Sequence, residues 1–126
     1  MGTILVVDDD ADLVEAYQLA IRSCGHEIAT ANSAAAARTL LEQGLRPDAM
    51  VLDVMMETKS AGFELAREVH SRYPRLPLVM LTAVHQAVDR AMHFEPDETW
   101  LPVLQFLDKP VDPAVLAREL DRLLAP

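Results

Sequence analysis

Asp8-Asp9, Asp53, Thr82 and Lys109 each stand at or just after the end of a short apolar run. Together they supply the parts of a phosphoryl-transfer site. A carboxylate can act as nucleophile, neighbouring carboxylates can hold a divalent cation, and a hydroxyl and an ammonium can meet the charge on the transferring oxygens. None of these residues says much alone. An aspartate at a strand end is commonly a helix cap, which is the plain reading of Asp10, and Thr82 by itself is equally a turn residue. Asp8 and Asp9 aligned with Asp53 are what favour chemistry over capping.

The elements that would bring them together follow from hydrophobic periodicity. Ile4-Leu5-Val6-Val7, Ala49-Met50-Val51-Leu52, Leu78-Val79-Met80-Leu81 and Val103 to Leu107 are short aliphatic runs, the pattern of strands buried on both faces. A weaker strand is expected at His26 to Ala31. Helical spacing places Leu13, Tyr17, Ala20 and Ile21 on one face, then Ala36, Leu40 and Leu41, then Phe63, Leu65, Ala66 and Val69. Val88, Ala91 and Met92 follow, and finally Val115, Leu116, Leu120, Leu123 and Leu124. Ser33 and Asp112-Pro113 read as helix starts, Gly25 and Gly44 as helix stops, and Pro47, Pro74 and Pro77 as turns. Five strand-helix alternations predict an α/β fold, a doubly wound five-stranded parallel sheet covered by helices on both faces. In such sheets ligands bind beyond the carboxyl ends of the strands, where all of the residues named above fall.

Composition narrows the function classes. A chain of 126 residues with 51% hydrophobic residues is expected to form one domain, residues 1–126, with a core that needs no disulfide or metal staple. No apolar run reaches membrane-spanning length and no basic leader precedes the first strand, so a cytoplasmic location without membrane contact is expected. Eleven basic against twenty acidic residues leave a net charge of -9, which argues against direct nucleic-acid binding. Cys24 is the single cysteine and is expected to be a small buried apolar residue. His26, His70, His85 and His93 have no metal-ligand spacing and are expected at the surface. The chain stops about one turn after the last helix, so no effector domain is expected within it.

The segments Leu5-Val6-Val7-Asp8-Asp9-Asp10, Val51-Leu52-Asp53-Val54-Met55-Met56, Leu81-Thr82-Ala83 and Phe106-Leu107-Asp108-Lys109-Pro110 resemble, in this order, the receiver domain of two-component response regulators. The resemblance covers essentially the whole chain. It implies a flavodoxin-like (βα)5 fold with strand order 2-1-3-4-5. It also implies a phosphoacceptor function, with Asp53 taking a phosphoryl group from a phosphohistidine on a sensor histidine kinase or phosphotransfer protein. Mg²⁺ would be bound directly by Asp9, Asp53 and the backbone carbonyl of Met55, with Asp8 acting through water. Lys109 would neutralise phosphoryl oxygens, helped by a cis Lys109-Pro110 bond. Thr82 and Phe106 would form a switch, Phe106 turning inward as Thr82 moves toward the phosphoryl group. Lacking a tyrosine hydroxyl, Phe106 would have no outward hydrogen bond to lose and a weaker bias between states. A face built from the fourth helix, fifth strand and fifth helix would then meet a downstream protein or a second copy of the chain in a phosphorylation-dependent homodimer. Such a domain is no enzyme in the ordinary sense, although it catalyses its own phosphorylation and dephosphorylation.

Two departures from the family pattern stand out. Glu57 occupies the place of the usual proline after the nucleophile, and Thr58-Lys59-Ser60-Ala61-Gly62 makes a loop about one residue longer, which bears on kinase choice. Thr82 and Lys109 are separated by 27 positions, roughly five more than the family pattern, over a helical turn if helical. The excess falls in Phe94 to Pro102 around Trp100, which is either a core plug or an apolar anchor for a partner. Two other functions fit part of the chemistry. A phosphate sink or scaffold would use the same site without output. A haloacid-dehalogenase-like phosphatase would take Asp8 and Asp10 as nucleophile and acid, but needs an acidic pair beyond the lysine that Asp112, Glu119 and Asp121 supply poorly. An EF-hand loop at Asp8, Asp10 and Asp12 fails because Leu13 replaces the glycine turn and Leu19 the bidentate acid.

Overall fold

The structure, a computed structural model, describes residues 2–53, 61–82, 104–108 and 111–124. Five strands, β1 (Thr3–Val7), β2 (Glu27–Ala31), β3 (Ala49–Asp53), β4 (Leu78–Thr82) and β5 (Leu104–Asp108), form one parallel sheet in the order β2-β1-β3-β4-β5. Four described helices accompany them: α1 (Ala11–Ser23), α2 (Ala34–Glu42), α3 (Ala61–Arg72) and α4 (Pro113–Leu124). The expected helical stretch at Val88 to Met92 and the Phe94 to Pro102 insert lie outside the described residues.

The sheet explains why its strands read as unbroken apolar runs. Successive side chains of a strand point to opposite faces, and here both faces are covered. Leu5, Val7, Met50, Leu52, Leu78 and Met80 pack toward α2 and α3, where Ala37, Leu41, Leu65, Ala66 and Val69 meet them. Ile4, Val6, Ala49, Val51, Val79 and Leu81 pack toward α1 and α4, against Tyr17, Ile21, Leu116 and Leu120. All twelve of these strand residues are fully buried. At about 25 cal/mol per Å² of buried apolar surface, this double-sided core is the main force holding the strand ends in register.

The ends of the helices behave as their residue types dictate. Ser33 Oγ accepts from the Ala36 amide at 3.0 Å and Asp112 Oδ1 from the Ala114 amide at 2.8 Å, starting α2 and α4. Gly25 (φ 91°) and Gly44 (φ 105°) take the left-handed conformation after α1 and α2, where a side chain would be strained. On α4, Arg122 sits one turn from Glu119 and its hydrogen bond holds that carboxyl below its ordinary range.

Several expectations need correction. Cys24 is exposed, because it caps the end of α1 and points away from the core. His26 and His70 are buried instead of surface residues. Val115 is 39% exposed, since α4 turns Leu116 and Leu120 inward and Val115 falls on the adjoining face. The strand expected at His26 starts at Glu27, and β5 runs one residue later than expected, to Asp108.

Candidate functional site

The ends of β1 and β3 bring the carboxylates of the site together. β1 finishes at Val7, and the Asp8 amide continues the sheet by donating to the Ala31 carbonyl at 3.1 Å. That bond fixes the backbone of Asp8, which is only 2% exposed. One carboxylate oxygen of Asp8 accepts the Asp10 amide at 2.9 Å. Asp10 then turns its own carboxylate forward to the amides of Asp12 and Leu13, at 3.1 and 3.2 Å, and so caps α1. Asp9 is left between two anchored neighbours with its side chain exposed.

Asp53 is the last residue of β3, and the pairing of Val7 with Leu52 puts it beside the β1 end. Its side chain is almost buried, at 8% exposure. Asp8, Asp9 and Asp53 each bring a carboxylate oxygen within 4.8 Å of the others. Two like charges about 4 Å apart repel by roughly 4 kcal/mol at an effective dielectric of 20. Three carboxylates on one rim therefore favour a bound cation, and an all-oxygen set with open solvent on the Asp9 side suits a hard ion that keeps part of its water, as Mg²⁺ does.

The register carries the remaining positions to the same edge. Asp53 lies opposite Leu81, so Thr82 follows one residue beyond it, and Thr82 lies opposite Asp108, the residue before Lys109. The backbones of Thr82 and Phe106 are thus on β4 and β5. Met55, Lys109 and the Lys109-Pro110 bond, whose cis form was expected, lie outside the described residues. Every carboxylate of the cluster was expected from sequence. What the sequence did not reveal is how Asp8 is held, because a carbonyl at the end of β2 and an amide of the α1 cap carry no residue-type signal.

Replacing Asp9 by Asn removes one of the three charges without leaving a cavity, since Asp9 is exposed. In metal-free buffer Asp9→Asn is expected to be more stable than the wild type by about 0.5 kcal/mol or more. Added Mg²⁺ should raise the thermal midpoint of the wild type and raise that of the variant far less. A variant that loses stability without metal would mean that the protein itself already neutralises the cluster.

Comparison with known proteins points one way. Residues 4–121 match the response regulator receiver domain family. The transcriptional regulatory protein AfsQ1 of Streptomyces coelicolor is 36% identical over 95 residues, which cover 75% of this chain and 41% of that protein. The alkaline phosphatase synthesis transcriptional regulatory protein PhoP of Bacillus subtilis is 31% identical over 110 residues, 87% of this chain and 43% of the relative. The chain thus spans less than half the length of either. Among solved structures, the signal receiver domain of a signal transduction histidine kinase from Syntrophus aciditrophicus superposes with a TM-score of 0.82. It is 26% identical and covers 99% of this chain and 91% of that one. Among the described residues, no helix is long and apolar enough to cross a membrane.

Proposed function

Given that the chain belongs to the response regulator receiver family of two-component systems, we propose that Asp53 is its phosphoacceptor and that Asp8, Asp9 and Asp53 hold Mg²⁺ for the transfer. The observation that carries this reading is the convergence of the three carboxylates at the ends of β1 and β3. Asp53 is nearly buried while Asp9 opens to solvent, so on this reading an incoming phosphoryl donor approaches Asp53 from the Asp9 side of the rim.

In the transfer, an Asp53 carboxylate oxygen attacks phosphorus, forming an O–P bond as the N–P bond of a phosphohistidine breaks. The leaving imidazole nitrogen takes up a proton, and Asp53 becomes an aspartyl phosphate. Mg²⁺, when bound, neutralises charge on the phosphoryl oxygens. Asp8, with one oxygen committed to the Asp10 amide, contributes charge and orientation more than nucleophilicity. Lys109 follows β5 directly and is the cation assigned to the remaining phosphoryl oxygens, with Met55 adding its carbonyl to the metal site and Thr82 its hydroxyl to the product. Hydrolysis of the acyl phosphate by water resets the site.

The partners proposed on this reading are a sensor histidine kinase or phosphotransfer protein upstream and a protein downstream, with Thr82 and Phe106 relaying the change to the β5 and α4 side. The net charge of -9 disfavours nucleic acid as a direct contact of this chain, whatever the regulators it resembles bind through their other parts.

The test is chemical. Incubation with acetyl phosphate should add one phosphoryl group, seen by intact mass, only when Mg²⁺ is present. Lys109→Ala should remain folded and bind Mg²⁺ yet be phosphorylated about a hundredfold more slowly. Phosphorylation that proceeds equally in a chelator would remove the metal from the proposal, and an unchanged Lys109→Ala rate would remove the lysine.

A further inference from the structure

At the opposite edge of the sheet, where the strands begin, lies a buried titratable group that the phosphoryl site does not use. The His26 side chain is 1% exposed. Its Nδ1 accepts the Gly2 amide at 3.0 Å. A peptide N–H can only donate, so Nδ1 carries no proton. The ring proton therefore sits on Nε2, which donates to Asp121 Oδ1 of α4 at 2.6 Å. Around it the strand heads are tied together. The Glu27 amide donates to the Gly2 carbonyl at 2.9 Å, and the Asp48 amide to the Thr3 carbonyl at 2.7 Å. The Thr3 amide returns a bond to Asp48 Oδ2 at 2.8 Å. Of these groups the imidazole is the one that reaches across to α4.

We propose that His26 is a pH-sensitive latch: as a neutral ring it fastens α4 to the heads of β1 and β2, and protonation at Nδ1 releases the β1 side. An imidazolium has two donors and no acceptor, so the Gly2 N–H would face an N–H and that bond is lost. The Nε2 contact behaves oppositely, becoming an ion pair with Asp121, whose side chain is 47% exposed. Charged groups at this end of the sheet include Asp121 on α4, which bonds the ring, Asp48 at the head of β3, Glu27 beside His26 in the chain and Arg22 in the last turn of α1. Arg118 and Arg122 of α4 are exposed, and Arg122 is paired with Glu119. The effect of the latch on a partner face at α4 rests on the receiver reading, whereas the latch itself does not.

Nuclear magnetic resonance of the ¹⁵N-labelled wild type between pH 8 and pH 5 tests it, with no metal or phosphodonor present, so that failure here is separate from failure of the phosphoryl site. At pH 8 the ring should be the Nε2–H tautomer. As the ring titrates, the Gly2 and Glu27 amides should shift with the same midpoint and their exchange protection should fall about fivefold or more. His26→Gln keeps an acceptor and a donor without titrating, and should abolish that pH dependence. Asp121→Asn, a change at a half-exposed side chain, should move the ring titration to lower pH. An Nδ1–H tautomer at pH 8, a ring that stays neutral to pH 5, amides that ignore the ring, or an unmoved midpoint in Asp121→Asn would each overturn the latch.

Discussion

Asp53→Asn is expected to take up no phosphoryl group from acetyl phosphate and Mg²⁺, a loss of at least about a thousandfold against the wild type. An amide has no anionic oxygen to attack phosphorus, and the neighbouring carboxylates are poorly placed to substitute. Asp8 is 2% exposed and has one oxygen tied to the Asp10 amide. Asp9 is accessible, but on the proposed reading its lone pairs would be taken up by the cation. The comparison with Asp9→Asn separates the roles. Both substitutions should flatten the dependence of stability on Mg²⁺, yet Asp9→Asn should still accept a phosphoryl group at high Mg²⁺ and Asp53→Asn should not. Intact-mass measurement after a time course, with circular dichroism to verify the fold, reads both. Uptake by Asp53→Asn at the wild-type rate would move the nucleophile elsewhere on the rim.

The sequence carried the site because chemistry and topology coincide there. Asp8 and Asp53 are polar residues placed directly after runs that must be buried, and a parallel sheet leaves only its carboxyl edge for them. β1, β3 and β4 were readable for the same reason, since two-sided burial forces an unbroken aliphatic run. β2 was fainter because it is an edge strand: Glu27 and Thr30 are exposed and the run is diluted. Two histidines, His26 and His70, depart from the surface positions expected of them. His26 looks like a surface residue by type, and its burial follows from two partners, Gly2 and Asp121, that lie 24 and 95 positions away. No local pattern encodes such a contact. Cys24 differs for another reason, because α1 ends there and the residues after the buried Ile21 are exposed.

The last helix shows where periodicity stops resolving neighbours. Val115 and Leu116 are adjacent, both aliphatic, and both fit a helical stripe, but Leu116 is fully buried among the β1, β3 and β4 side chains while Val115 is 39% exposed. Leu116→Ala removes a side chain from a close-packed face and leaves a cavity that α4 cannot collapse without dragging Leu120 and the His26–Asp121 contact with it. The expected loss is about 3 kcal/mol, which for a domain of this size lowers the thermal midpoint by roughly 10 °C. Val115→Ala deletes two methyl groups from a surface already wetted, and alanine is the better helix former, so its stability should stay within about 0.5 kcal/mol of the wild type. Urea denaturation of the two variants side by side reads the difference directly. Equal losses would mean that α4 is rotated in solution, and with it the partner of His26.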